Sequence, residues 1–185
     1  MYRLANGVRA LDAFVRGGGT LVCLNGSSTF AIEELHLPVR DVVKKLERDE
    51  FYASGSILEV DVDTAHPLMA GMRERSKIFF SRSPVFTTEE GFEGSALAKY
   101  AIAGSPLSGY LLGEDRLHGH AAALDVVHGD GRVILIGFWP QWRGQPFGTF
   151  RVLFNSVVYH GALTERGGTA EFWAPPLPAV DETEK

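Results

Sequence analysis

The chain has 185 residues, 45% of them apolar and 22% charged, which is enough for one globular domain with a real core. A formal net charge of -5, a pI near 5.7 and no local run of Lys or Arg argue against nucleic acid or an anionic membrane as partner. Cys23 is the only cysteine, so no intrachain disulfide and no multi-cysteine zinc site can be built.

The N-terminus, Met1 to Asn6, lacks the apolar core and small-residue cleavage site of a signal peptide. No apolar run approaches the roughly 18 residues that span a bilayer, so the expectation is a soluble, unexported chain.

Val8, Leu11, Ala13, Phe14 and Val15 lie at helical spacing, and Gly17-Gly18-Gly19 ends that helix before an apolar strand, Thr20 to Leu24. Asn25-Gly26-Ser27-Ser28 then reads as a tight turn into a helix from Thr29 to Leu35, with Ser27 or Ser28 as its N-cap. A further helix is expected from Pro38 to Arg48.

Ser56 to Val62 alternates apolar and polar residues as a half-buried strand does, and His66 to Met72 suits a short helical turn. Strand candidates follow at Lys77 to Phe80, Val85 to Thr87 and Ala96 to Ile102, together suggesting a meandering β insert. Tyr110 to Gly119 carries no clear pattern.

Ala121 to Val127, Gly129-Asp130-Gly131 and Arg132 to Phe138 read as a hairpin with a Gly-rich turn. Its second arm is almost wholly apolar, as in a strand covered on both faces. Phe150, Leu153, Phe154, Val157 and Val158 then mark an amphipathic helix that Gly161 would end, with its stripe expected to dock on the sheet. From Gly167 the chain is rich in Pro and ends acidic, Asp181 to Glu184, so residues 1–166 read as one domain and 167–185 as a loosely packed tail. Glu89-Glu90 reads as solvated charge.

Three segments carry a resemblance: Gly18 to Val22, Phe79 to Phe86, and the long run Gly137 to Arg151 between the apolar strand and the amphipathic helix. Together, over roughly Gly7 to Tyr159, they resemble the C-terminal class I glutamine-amidotransferase-like domain attached to bacterial zinc carboxypeptidases of the M14 type. The resemblance implies an α/β, flavodoxin-like layered fold with helices on both faces, here without the family's first strands. An uncovered sheet edge would follow, and with it dimerisation or an unstable fold; the resemblance itself implies a zinc peptidase domain as the alternative partner.

The resemblance also implies where catalytic groups would stand. An amidotransferase needs a cysteine on a strand-to-helix elbow and, after the last strand, a histidine base with a carboxylate to orient it. Here the elbow reads Asn25-Gly26, Cys23 falls inside the strand, and the positions of base and carboxylate hold Trp139 and Gln141. Indole cannot take a proton and a neutral amide cannot stabilise an imidazolium. The family's separate peptidase domain binds zinc through His-x-x-Glu, and none of the six histidines here is followed by Glu at the third position. The expectation is no catalysis by this chain alone, no cofactor and no metal.

Residues for binding remain. Ser27 and Ser28 could be nucleophiles, with Asn25 or Gly26 donating to an oxyanion or ligand at a helix N-terminus, or all four could simply be turn and cap residues. His118 and His120 with Glu114 or Asp115 have metal-ligand chemistry but no third placed ligand. Trp139, Gln141, Trp142, Arg143, Gln145 and Phe147 form an aromatic, Arg-bearing loop of the residue types enriched at binding hot spots. Two functions follow: a catalytically silent accessory domain working through interdomain or protein contacts, or a module binding a small molecule or peptide at the turn and the loop.

Overall fold

The computed structural model describes residues 2–144, 146–159 and 172–176. Helix α1 (Tyr2–Arg16) leads through the glycines into strand β1 (Thr20–Leu24) and helix α2 (Gly26–Glu34). Eight strands then follow in the middle of the chain, most of them short: β2 (Val39–Asp41), β3 (Tyr52–Ala53), β4 (Ser56–Val62), β5 (Arg75–Phe80), β6 (Phe86–Thr88), β7 (Gly94–Tyr100), β8 (Pro106–Ser108) and β9 (Leu111–Leu112). The hairpin β10 (Ala121–His128) and β11 (Gly131–Ile136) and the helix α3 (Phe150–Val158) complete the described elements.

The fold is mixed α/β around a mostly antiparallel sheet. Its main path runs β1-β11-β10-β7-β4-β5, and among the described residues only β1 and β11 pair in parallel, with Cys23 opposite Leu135. Strand β11 lies between β1 and β10 and is buried from Val133 to Ile136, as its apolar run requires.

Alternation along β11 splits the core in two. Ile134 and Ile136 face a cluster with Leu58, Phe80, Leu97, the turn residues Leu68 and Met69, and Val152 of α3. Val133 and Leu135 face the other, with Val15 of α1, Ala31 and Leu35 of α2, and Val126. Helices therefore cover both faces.

Three expectations change. The helix expected from Pro38 to Arg48 is absent: Val39–Asp41 pairs with β6, and the Asp41 carboxylate accepts from the Val43 and Val85 amides, both at 3.1 Å. A side chain that bonds nearby backbone in this way competes with helix formation. Second, α2 starts at Gly26, so Ser27 and Ser28 lie within its first turn and Asn25 takes the cap position without a side-chain cap bond.

Third, the apolar stripe of α3 does not dock on the sheet. Val152 is buried instead, and the Asn155 amide donates to the carbonyls of Leu68 and Ala70 at 2.9 and 3.0 Å. These two residues, three apart, turn the helix so that Phe154, Val157 and Val158 remain 68%, 74% and 67% exposed. Gly161 lies outside the described residues.

The stretch 110–119 without a clear pattern contains β9 and a 3-10 turn over Glu114–Leu117. Phe172 and Trp173, from the tail segment, pack on the second core cluster, and the Trp173 indole donates to the Gly119 carbonyl at 2.6 Å. Asp181 to Glu184 lie outside the described residues.

Candidate functional site

The elbow after β1 has the backbone of a nucleophile position. Asn25 has φ 48 and ψ -123, a strained combination that a strand-to-helix elbow uses to aim one side chain outward. Here the side chain is sealed instead: Asn25 is 3% exposed and its amide donates to Ser83 Oγ at 2.6 Å. An amide held in this way is neither exposed nor nucleophilic.

The neighbouring hydroxyls are also spent. Ser28 Oγ donates to the Cys23 and Ile136 carbonyls at 3.1 and 3.3 Å, tying the first turn of α2 to the ends of β1 and β11. Ser27 Oγ lies 2.7 Å from both the amide and the carbonyl of Leu24. Both serines therefore support backbone, as turn residues do.

Cys23 points into the second core cluster, and burial pushes its thiol up from 9.0 to about 11. A shift of that size leaves about a hundredfold less thiolate at pH 8. Labelling of Cys23 by an uncharged thiol reagent should thus be at least about tenfold slower in the folded chain than in urea. Equal rates would contradict its burial.

The aromatic loop folds back on the sheet's own end. The Trp139 amide donates to the Phe79 carbonyl and its indole to the Ser81 carbonyl, both at 3.1 Å. Trp142 stacks on Phe79, with centroids 5.7 Å apart and planes 6° from parallel, and Trp139 meets Trp142 at 5.2 Å. Both tryptophans are half-buried against β5 and the residues after it, not against helices.

This brings the two sequence motifs together. Ser81 accepts from Trp139, its carbonyl also lies 3.5 Å from the Asn25 amide, and Ser83 accepts from Asn25. The Phe79 to Phe86 segment is the bridge between elbow and loop. Gly137 permits the approach, since a Cβ there would lie 2.6 Å from the Pro84 carbonyl and 2.8 Å from that of Ala122.

What the loop presents outward is Gln141, Arg143 and Phe147. The Arg143 guanidinium lies over the Trp142 ring at 5.4 Å, and Phe147 is 73% exposed. Gln145 lies outside the described residues. A cavity of about 480 Å³ lies elsewhere, against Lys99, Gly119, Phe172 and Trp173.

The histidine pair does not converge. His118 Nε2, 3.9 Å from Glu114, and Nδ1 of the half-buried His120 are both buried without a hydrogen-bond partner. Among the described residues no three His, Cys, Asp or Glu side chains are grouped to hold a metal ion.

Burial, helped by the Arg40 guanidinium and opposed by a bond to the Phe86 carbonyl, holds the His120 imidazole below its usual 6.5. Between that lowered value and 6.5 the unfolded chain binds a proton that the folded chain refuses, so stability falls with acid in that window. Asp41 acts oppositely, since burial raises its carboxyl above 3.8 and its contribution is lost as pH rises. Comparing native with His120→Gln in urea at about pH 7.5 and about pH 5.5 isolates the histidine: the variant should lose less stability on acidification. An identical loss in both would remove His120 as the cause.

One polar cluster had no signal in the spacing of residues. Asp125 on β10, fully buried, accepts from Arg132 of β11 at 2.5 Å and pairs with His66 Nε2 at 3.1 Å. His66 Nδ1 accepts from the Leu68 amide, which places the imidazole proton on Nε2. With both ring nitrogens engaged, His66 cannot serve as a base for a substrate. The cluster joins the hairpin to the 3-10 turn under α3.

No protein-family model matches the sequence, and no curated protein does. Solved structures match in fold. A cytoplasmic protein of Salmonella typhimurium, STM3548, is 12% identical over 84% of this chain and 60% of its own, with a TM-score of 0.51. A β-galactosidase from Bacillus circulans sp. alkalophilus is 14% identical over 87% of this chain, with a TM-score of 0.49; the chain spans 21% of that enzyme's length. A putative ThuA-like protein from Parabacteroides merdae is 12% identical over 87% of this chain and 66% of its own, with a TM-score of 0.49. At such identities the Salmonella likeness speaks for the α/β fold and nothing beyond it.

Proposed function

We propose that this chain is a catalytically silent α/β domain of the amidotransferase-like kind, flavodoxin-like in its layering, that works by protein contact as an accessory to a zinc carboxypeptidase of the M14 type. The observation that carries the silence is the elbow: a strained backbone built for a nucleophile holds Asn25, buried and bonded to Ser83. Trp139 and Gln141 at the positions of base and carboxylate agree with it. The parallel pair β1–β11, followed on β1 by α2, and helices on both faces support the layering. The peptidase association rests on the sequence resemblance.

Contact is the reading that suits the loop. Its tryptophans are committed to β5, while Arg143 and Phe147 face solvent beside them, a rigid aromatic platform with an exposed cation. Binding of a small molecule or peptide is the second reading, favoured by the exposed Arg143–Trp142 stack. The spent hydroxyls of Ser27 and Ser28 count against it.

Glutamine hydrolysis separates silence from residual activity. The native chain and Asn25→Cys should both release ammonia at background rate, because a thiol at the elbow still lacks a base. Turnover by the native chain would overturn the proposal. For contact, a purified M14-type peptidase domain encoded beside this chain should bind it, and Arg143→Glu should weaken binding at least about tenfold. Equal affinity would remove the loop from the interface.

A further inference from the structure

The parity of hydrogen bonds along β1 leaves a short edge open. The Asn25 amide donates to Ile136 and the Arg132 amide to Gly19, so the odd-numbered residues of this stretch face β11. Thr20, Val22 and Leu24 therefore turn their N–H and C=O groups away from the sheet. Leu24 is closed, because the Ser27 hydroxyl occupies both of its groups at 2.7 Å. The main-chain groups of Thr20 and Val22 have no partner among the described residues, and β1 ends the sheet.

This pattern suits one occupant. An antiparallel pair bonds in doublets, two residues exchanging both N–H···O bonds, with non-bonded pairs between. If a twofold axis passes beside Leu21, Thr20 meets the partner's Val22 and Val22 meets the partner's Thr20. Four hydrogen bonds then form and use every open group of both copies. An axis beside Val22 would instead need Leu24, whose groups Ser27 already holds.

The flanks are apolar. Leu21 and Val22 are half-exposed on opposite faces of the strand. Phe14 of α1 is 55% exposed and lies against the start of β1, since a Cβ on Gly19 would come 2.5 Å from its ring. Across the twofold, Leu21 would face its counterpart, with Phe14 of each copy beside the junction. An apolar edge with no lysine, proline or bulge is the kind that pairs.

We propose that two copies of this chain join through β1, antiparallel about a twofold beside Leu21, making one continuous sheet. This goes beyond the contact reading above, because it uses the β1 edge and not the Trp139–Phe147 loop. The self-complementary edge specifies a closed dimer.

The test uses the full chain with Cys23→Ala as background. Sedimentation should give twice the 20.2 kDa chain mass at micromolar concentration, and a monomer throughout would overturn the proposal. Leu21→Cys should form an interchain disulfide under oxidation, because a non-bonded antiparallel pair places its Cα atoms about 4.5 Å apart, within disulfide reach. Val22→Cys should not cross-link, its counterpart lying two positions along. Any other cross-linking pattern overturns the register. Thr20→Pro removes one outward N–H at the first strand position and should weaken the dimer at least about tenfold. If that variant misfolds, the two cysteine variants still decide. A monomer would leave the loop's binding of a peptidase domain untouched, so failure here and failure of the contact reading are distinguishable.

Discussion

Replacing Asp125 by alanine is expected to lower the free energy of unfolding by about 3–5 kcal/mol, measured by urea at neutral pH. The carboxylate is fully buried and its Oδ2 alone serves both Arg132 and His66. Its removal leaves a largely buried guanidinium without a counter-charge and an imidazole N–H without an acceptor. That desolvation cost is the larger part of the effect, since an intact buried pair gives little over an apolar substitute. The double variant Asp125→Leu with Arg132→Met should therefore recover much of the loss. A change under about 0.5 kcal/mol for Asp125→Ala would mean that the cluster carries no weight.

Phe80→Ala should cost a similar amount, about 3–5 kcal/mol. Phe80 is fully buried at the centre of the first core cluster, edge-on to Phe51 at 6.0 Å and to Tyr100 at 6.2 Å. Phe51 lies just before β3 and Tyr100 ends β7, so these neighbours sit on separate segments and cannot collapse together into the space. Phe80→Leu keeps most of the volume and should lose roughly half as much. If alanine and leucine gave equal losses, ring packing would not be the cause.

Phe80 lies in the segment that positions the loop. Phe80 is flanked by Phe79, on which Trp142 stacks, and by Ser81, which receives the Trp139 indole. Loss of packing at Phe80 should thus disturb the outward presentation of Arg143 before the chain unfolds. The elbow is held from the same segment through Ser83.

Much of the fold is legible in the residues. The helical spacing from Val8 to Val15, the strand β1, the alternating β4 and the hairpin β10–β11 all follow from apolar period and glycine placement, although the first helix begins earlier, at Tyr2. So does the existence of α3. Its orientation does not, because Phe154, Val157 and Val158 outscore Val152 and Asn155 in any count of apolar residues. The carbonyls of Leu68 and Ala70 decide the matter by capturing Asn155.

The candidate site divides in the same way. That Trp139 and Gln141 lack a base and a carboxylate is chemistry, readable from the residue types alone. That Ser27 and Ser28 are spent is not, since a serine hydroxyl shows its partner only when the turn is folded. No role is legible in the sequence for Asp125, which lies within the strand read from Ala121 to Val127. Its partners lie 59 and 7 residues away in sequence, and no local spacing announces them.

By itself, then, the sequence determined most of the longer elements, their order and the residue types Trp139 and Gln141 at the positions where the resemblance puts a base and a carboxylate, because periodicity and side-chain chemistry are local properties. The tertiary structure decided that the sheet is mostly antiparallel, that the elbow is sealed by Ser83, that the stripe of α3 faces outward and that, among the described residues, β1 ends the sheet with two open residues. Each depends on a hydrogen bond or a packing contact between segments far apart in the chain. Such contacts are chosen by which buried polar groups find partners, and that is settled only when the whole chain is folded.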